Sequence, residues 1–134
     1  MSKSIFSRII DGEIPAYTVY ENAFVFAFLD IRPVAQGHVL IVPRIQVDAF
    51  DQVPEPFYTE IFQAAARIAR AQKLAFKVER ISLQVYGFEV PHAHLHLIPG
   101  NTMQSVAFIQ ATPASAVDLE VAQASIVTAL SSLS

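Results

Sequence analysis

Cysteine is absent from the 134 residues, which removes disulfides and every thiolate metal site and leaves redox compartment unreadable. The N-terminus, Met1-Ser2-Lys3-Ser4-Ile5-Phe6-Ser7-Arg8, lacks the uninterrupted apolar stretch of a signal peptide. No run approaches the ~18 apolar residues of a membrane span, so a cytoplasmic location away from membranes is expected. Concentrated positive charge is missing too. Nine Lys and Arg stand against twelve Asp and Glu, for a net charge of −3. The basic residues are scattered, so the electrostatic footprint of a duplex nucleic-acid binder is absent. No internal repeat or low-complexity segment is found, and a small ligand is the default partner.

What is abundant is apolar. Hydrophobic residues make up 53% of the chain, with a mean hydropathy of +0.41. One domain of this length can bury a real core, and the surplus of apolar surface points to a homodimer. Ile5, Phe6, Ile9 and Ile10 share one face of a short helix that Gly12 ends. Two strands follow, 17–21 and 24–29, joined by a turn at Asn22, the second covered on both faces. Residues 30–37 form a loop punctuated by Pro33 and Gly37. Next come a buried strand over 38–42 and, between Pro54 and Phe76, the amphipathic main helix. Residues 80–86 alternate as a strand. The tail from Thr112 is helical, capped by Thr112 with Pro113 or by Ser115 with Asp118, and Ser131-Ser132 is expected to fray. The fold class is α+β: about five strands, mostly antiparallel, with the main helix on one face.

Three of the four histidines stand in Pro91-His92-Ala93-His94-Leu95-His96-Leu97-Ile98-Pro99-Gly100. Their period of two is strand spacing, predicting a strand over 92–98 bounded by Pro91 and by a Pro99-Gly100 turn. Ala93, Leu95 and Leu97 then face the core while imidazoles line the other side. Three uses compete. A metal site is one, since an His-x-His pair on a strand can chelate one ion, although i to i+4 spans ~13 Å of strand, too far for a single ion unless the strand bends. Buried histidines with no chemical role are another, at the cost of desolvating several imidazoles. The third is nucleophilic and acid–base chemistry on an anion, since a neutral imidazole attacks phosphorus and its neighbours can donate to phosphoryl oxygens.

The order His92-Ala93-His94-Leu95-His96-Leu97-Ile98 resembles the His-φ-His-φ-His-φ-φ signature of the histidine triad (HIT) family, nucleotide hydrolases and transferases acting at the α-phosphate. The segments Ile5-Phe6 through Ile14-Pro15, Ala27-Phe28-Leu29-Asp30-Ile31, Gly37-His38-Val39-Leu40-Ile41-Val42-Pro43 and Glu89-Val90-Pro91-His92 are similar to the family's in the same order. Residues 4 to 100 are covered, closest to the HINT-like branch. The resemblance implies a HIT-like catalytic domain over 1–110, with 111–134 as its C-terminal helical extension, usually as a homodimer. It implies cleavage of a P–N or P–O–P bond of an AMP-like nucleotide without a cofactor. His94 is then the nucleophile, His92 orients it through its backbone carbonyl, His38 braces the arrangement, and His96 contacts the α-phosphate and leaving group. Asp30 receives the ribose hydroxyls, with an Asx-turn as its alternative use. Phe6, Ile9, Leu29 and Ile31 fall where the family sandwiches the base, and each also suits ordinary core.

Two departures stand out. Many members hold a structural zinc with Cys-x-x-Cys near the N-terminus and a later His, where this chain has Ser4, Ser7 and Gln46, so no metal is expected. Before the triad, Gly87-Phe88-Glu89-Val90 replaces a longer loop, and Glu89 stands where a hydroxyl often meets phosphate. Its carboxylate would pair with His96, act as a general acid, or point outward. Gln84 is the candidate for the amide that helps position the nucleophile. The function expected is a nucleotide hydrolase or phosphoramidase, with a poorly active nucleotide-binding interaction protein as the alternative and metal-dependent hydrolysis third.

Overall fold

Five antiparallel strands in the order β1-β2-β3-β5-β4 form the sheet of the computed structural model, which describes residues 2–133. The chain runs through α1 (Ile5–Ile10), β1 (Thr18–Glu21), β2 (Val25–Leu29), β3 (Val39–Pro43), α2 (Phe57–Phe76), β4 (Arg80–Gln84), β5 (Leu95–Gly100) and α3 (Ala116–Ser132). No helix of the described residues is long and apolar enough to cross a membrane.

Strand alternation divides the apolar residues between two cores. Val25, Ala27, Leu29, Val39, Ile41, Leu95 and Leu97 face α2 and α3, meeting Ile61, Ile68, Leu119, Ile126 and Leu130. Burying one such side chain stabilises by roughly 1.5–3 kcal/mol, so this layer holds the sheet flat against its helices. On the opposite face Phe26, Phe28, Leu40 and Val42 pack with Phe6 of α1. That smaller core leaves the triad side of the sheet open for chemistry.

The histidine strand differs from its sequence expectation. It begins at Leu95 rather than 92 because the preceding backbone is bonded elsewhere: His92 N–H to Val90 O at 2.8 Å and Ala93 N–H to Val47 O at 2.7 Å. Pro99-Gly100 is not a turn but the end of the strand, pairing with Ile81 and Arg80. Leu97 is the last partner of β3, so Pro99 lies where β5 is paired on one side only and a missing N–H is tolerated. The 80–86 strand stops at Gln84. At the C-terminus the Ser115 hydroxyl accepts from Asp118 N–H, making it the N-cap. Ser131 and Ser132 stay helical, their hydroxyls donating to Val127 O and Ala129 O.

Candidate active site

The loop between β2 and β3 delivers Asp30 and His38 to the end of the sheet. Gly37 closes it with φ +82°, and a Cβ there would collide with the Phe76 ring; only glycine suits the position. The fully buried Gln72 of α2 pins this turn to the histidine strand, its amide N–H donating to Gly37 O at 2.8 Å and Leu97 O at 3.0 Å. The segment after β5 ties the loop from outside, with Thr112 N–H to Pro33 O and Ala114 N–H to Ile31 O.

All four histidines are buried, and their backbone partners fix where each proton sits. His94 Nδ1 lies 2.7 Å from His92 O. A carbonyl only accepts, so Nδ1 carries a proton, and in the neutral form of the ring Nε2 keeps its lone pair. No hydrogen bond engages that Nε2 among the described residues. His92 Nε2 lies 2.8 Å from Pro43 O and is protonated for the same reason. At His38 the partner is reversed: Val34 N–H donates to its Nδ1 at 3.0 Å, so the neutral ring carries its proton on Nε2. That proton is donated to His96 Nδ1 at 3.0 Å, leaving His96 with N–H at Nε2. Burial pushes His38 down to about 4. Burial first, then His38 and His94 nearby, push His96 down to about 3. Burial also lowers His92. These three rings are therefore neutral near pH 7, as the bonding pattern requires.

The two central rings face a cleft of about 470 Å³ lined by Ile5, Phe6, Leu40, Asp30, Arg32, Tyr86, Phe88, Glu89, His94, His96 and Phe108. Phe6 stands edge-on to His94 at 4.9 Å. At the other end Phe108 is edge-on to His96 at 4.9 Å and stacked on Tyr86 at 4.3 Å. The cleft thus has an apolar wall at each end and the imidazoles between. Another cavity, of about 500 Å³, lies beyond Asp30 and His38, between residues 33–37 and the start of α3.

Not every expected residue reaches this cleft. Leu29 alternates onto the helix face and belongs to the main core. Ile9 packs toward the smaller core, and Ile31, 63% exposed, lies past the end of β2. Ile5 and Leu40 line the wall instead. His38 braces His96 rather than the His92–His94 pair. Gln84 sits opposite His96 in the ladder, but its amide donates to Ser82 Oγ and Val106 O and accepts from Tyr86 Oη. Asp30 spends Oδ1 on Arg32 N–H at 2.9 Å in the Asx-turn pattern, while Oδ2 lies 3.8 Å from His38 Nε2. Burial raises its carboxyl above the usual range, opposed by the Arg32 N–H. Glu89 is exposed at the rim and makes no ion pair with His96 among the described residues. Sequence reasoning missed Tyr86 and Phe108 as walls, and no spacing signal marked Phe108.

Asp30, His38 and His96 bring possible ligand atoms within 4.8 Å of one another. The Val34 N–H, however, occupies His38 Nδ1 and commits Nε2 to N–H donation, a pattern unlike that of a metal-bound imidazole, whose second nitrogen donates.

A HIT domain model matches residues 11–103. The chain is 37% identical over 117 residues to adenosine 5'-monophosphoramidase HNT1 of Saccharomyces cerevisiae, covering 87% of this chain and 73% of that one. It is 37% identical over 102 residues to protein hit of Bacillus subtilis, covering 71% and 69%. Among solved structures it is similar to a Hit-like protein of Bartonella henselae, with TM-score 0.84, 29% identity and 95% and 96% coverage. A histidine triad nucleotide-binding protein of Sulfolobus tokodaii gives TM-score 0.85 at 25% identity, with 96% and 92% coverage.

Proposed function

The chain belongs to the HIT family, and from that premise we propose that it is a nucleotide phosphoramidase that forms a nucleotidyl-histidine at His94. The observation that carries this reading is the free Nε2 lone pair of His94, aimed by the 2.7 Å bond from its Nδ1 to His92 O, in a cleft with a second imidazole N–H beside it. Similarity to the yeast adenosine 5'-monophosphoramidase supports an adenosine 5'-phosphoramidate as substrate.

In the proposed first step His94 Nε2 attacks the α-phosphorus, a new P–N bond forms, and the bond to the leaving amine breaks as that nitrogen takes a proton from solvent at the rim. His96 Nε2–H donates to the oxygens on which charge accumulates, and its fixed position spares reorganisation. Water then attacks phosphorus and gives up a proton to solvent, the P–Nε2 bond breaks with its electron pair returning to Nε2, and nucleoside monophosphate leaves. Phe6, Ile5 and Leu40 would cover the base, Asp30 would accept from the ribose, and the leaving group would depart toward Tyr86 and Phe108. No cofactor enters this scheme. Among the described residues β4 ends the sheet with an unpaired edge and Leu83 is 45% exposed, and we propose that the homodimer contact lies there.

The test is AMP release from adenosine 5'-phosphoramidate by the wild type and His94→Ala. Turnover lost in the variant supports the reading. Equal AMP binding by both with turnover in neither would favour the nucleotide-binding interaction protein.

A further inference from the structure

Beneath the triad, the positions where many HIT relatives hold a structural zinc form a polar knot, buried at Ser4 and His92 and half-buried at Ser7 and Gln46. Ser4 Oγ lies 2.7 Å from His92 Nδ1 and accepts Ser7 N–H at 3.0 Å. Ser7 Oγ donates to Gln46 Oε1 at 2.7 Å, the oxygen that also accepts Ser4 N–H at 2.8 Å. Gln46 Nε2 donates onward to Ser2 O at 3.0 Å. Two neutral hydroxyls, an amide and one imidazole nitrogen do not fit zinc, which takes thiolate, imidazole or carboxylate ligands. Donors and acceptors already match around the ring, so a cation would find no vacant ligand set.

The knot adjoins the nucleophile through one ring. His92 Nε2 carries its proton because it faces Pro43 O. Its Nδ1 therefore accepts, and Ser4 Oγ–H at 2.7 Å is the nearer donor, Ser7 Oγ lying 3.4 Å from the same nitrogen with its own proton given to Gln46 Oε1. Held at both nitrogens, the ring cannot turn, and the peptide carrying His92 O is held with it. Val47 O, one residue after Gln46, takes Ala93 N–H from the other side of that carbonyl.

We propose that Ser4, fixed by Ser7 and Gln46, is a positioning residue for catalysis: its hydroxyl locks the orientation and tautomer of His92 and so the carbonyl that aims His94. Hydrogen bonds thus take the structural place that zinc holds in relatives. The inference rests on His94 being the nucleophile. Misplacing a reacting group by about 1 Å can cost ~100-fold in rate, so the effect belongs in kcat rather than KM.

Because Ser4 also caps α1, the variants must separate the two roles. Ser4→Gly removes the hydroxyl at a position where glycine is itself an acceptable N-cap, and Ser4→Thr keeps both functions. The measurement pairs adenosine 5'-phosphoramidate kinetics with imidazole ¹⁵N shifts and couplings of the ligand-free proteins. The wild type should show His92 as the Nε2–H tautomer with a hydrogen-bonded Nδ1. Ser4→Gly should lose the Nδ1 hydrogen-bond shift and at least ~10-fold in kcat with KM little changed, while Ser4→Thr restores both. An unchanged Nδ1 shift in Ser4→Gly overturns the proposal whether or not the enzyme turns over. So does an unchanged kcat when His94→Ala is inactive. Turnover that is equal in wild type and His94→Ala would instead remove the reading of His94 and this proposal with it.

Discussion

The two ends of the histidine row have the same side chain and opposite backbone partners. At the His92–His94 end the backbone offers carbonyls, Pro43 O and His92 O, and each ring must present N–H to its carbonyl. At the His38–His96 end the backbone offers an N–H, that of Val34, and the proton is displaced outward through His38 to His96 Nε2. Two imidazoles two residues apart thus face one cleft, one with a bare lone pair and the other with a donor. In the proposed mechanism local backbone polarity, not residue type, separates the nucleophile from the electrostatic stabiliser.

The sharpest break in that contrast is His94→Ala, which removes the lone pair. AMP release from adenosine phosphoramidate should fall by at least ~10³-fold, as for loss of other covalent nucleophiles, in a steady-state assay. His96→Ala removes the donor and keeps the lone pair. Its kcat should drop by ~10²-fold, the scale of losing one preorganised donor, with single-turnover kinetics locating the loss in the chemical step.

Stability against pH sharpens the other half of the comparison. The unfolded chain takes protons on His38 and His96 near their ordinary value of 6.5. The folded chain takes them only near about 4 and about 3. Between these limits the unfolded state binds more protons, so folding stability is fully present above pH 6.5 and falls as pH falls. Urea midpoints at pH 7.5, 5.5 and 4.5 should decline in that order, and His38→Gln should flatten the decline. The smallest effect is expected of Glu89→Gln. An exposed carboxylate outside both proton patterns should change kcat less than ~3-fold and leave the pH–rate profile in place, since general acids contribute ~10²-fold or more.

The main helix was legible from its apolar period over residues 57–76, and the second strand from a continuous β-branched and aromatic run over 25–29 that is covered on both faces. The α+β class and the placement of Leu95 and Leu97 in the core followed from period alone. The histidine strand was misplaced by three residues because alternation cannot reveal that His92 and Ala93 bond to Val90 and Val47 instead of a ladder. Family likeness pointed to the four histidines and Asp30. It did not separate Ile5 and Leu40, which line the cleft, from Leu29 and Ile31, which do not, because that depends on which face each strand end turns toward it. The proton pattern was illegible, since it depends on Val34 N–H and Pro43 O, groups that every sequence carries. Ser4, Ser7 and Gln46 were visible only as departures; their meeting with His92 spans 88 residues at Ser4 and 42 between Ser4 and Gln46.

In the proposed mechanism the lone pair at the His94 end forms the covalent bond. The direct measurement is acid-sparing rapid quench of the wild type with adenosine 5'-phosphoramidate, followed by peptide mass spectrometry. An adenylyl group on His94, formed and lost at rates that account for kcat, is the predicted result. An adduct on His96 or His92, or turnover with no adduct at a time resolution shorter than one catalytic cycle, would contradict it.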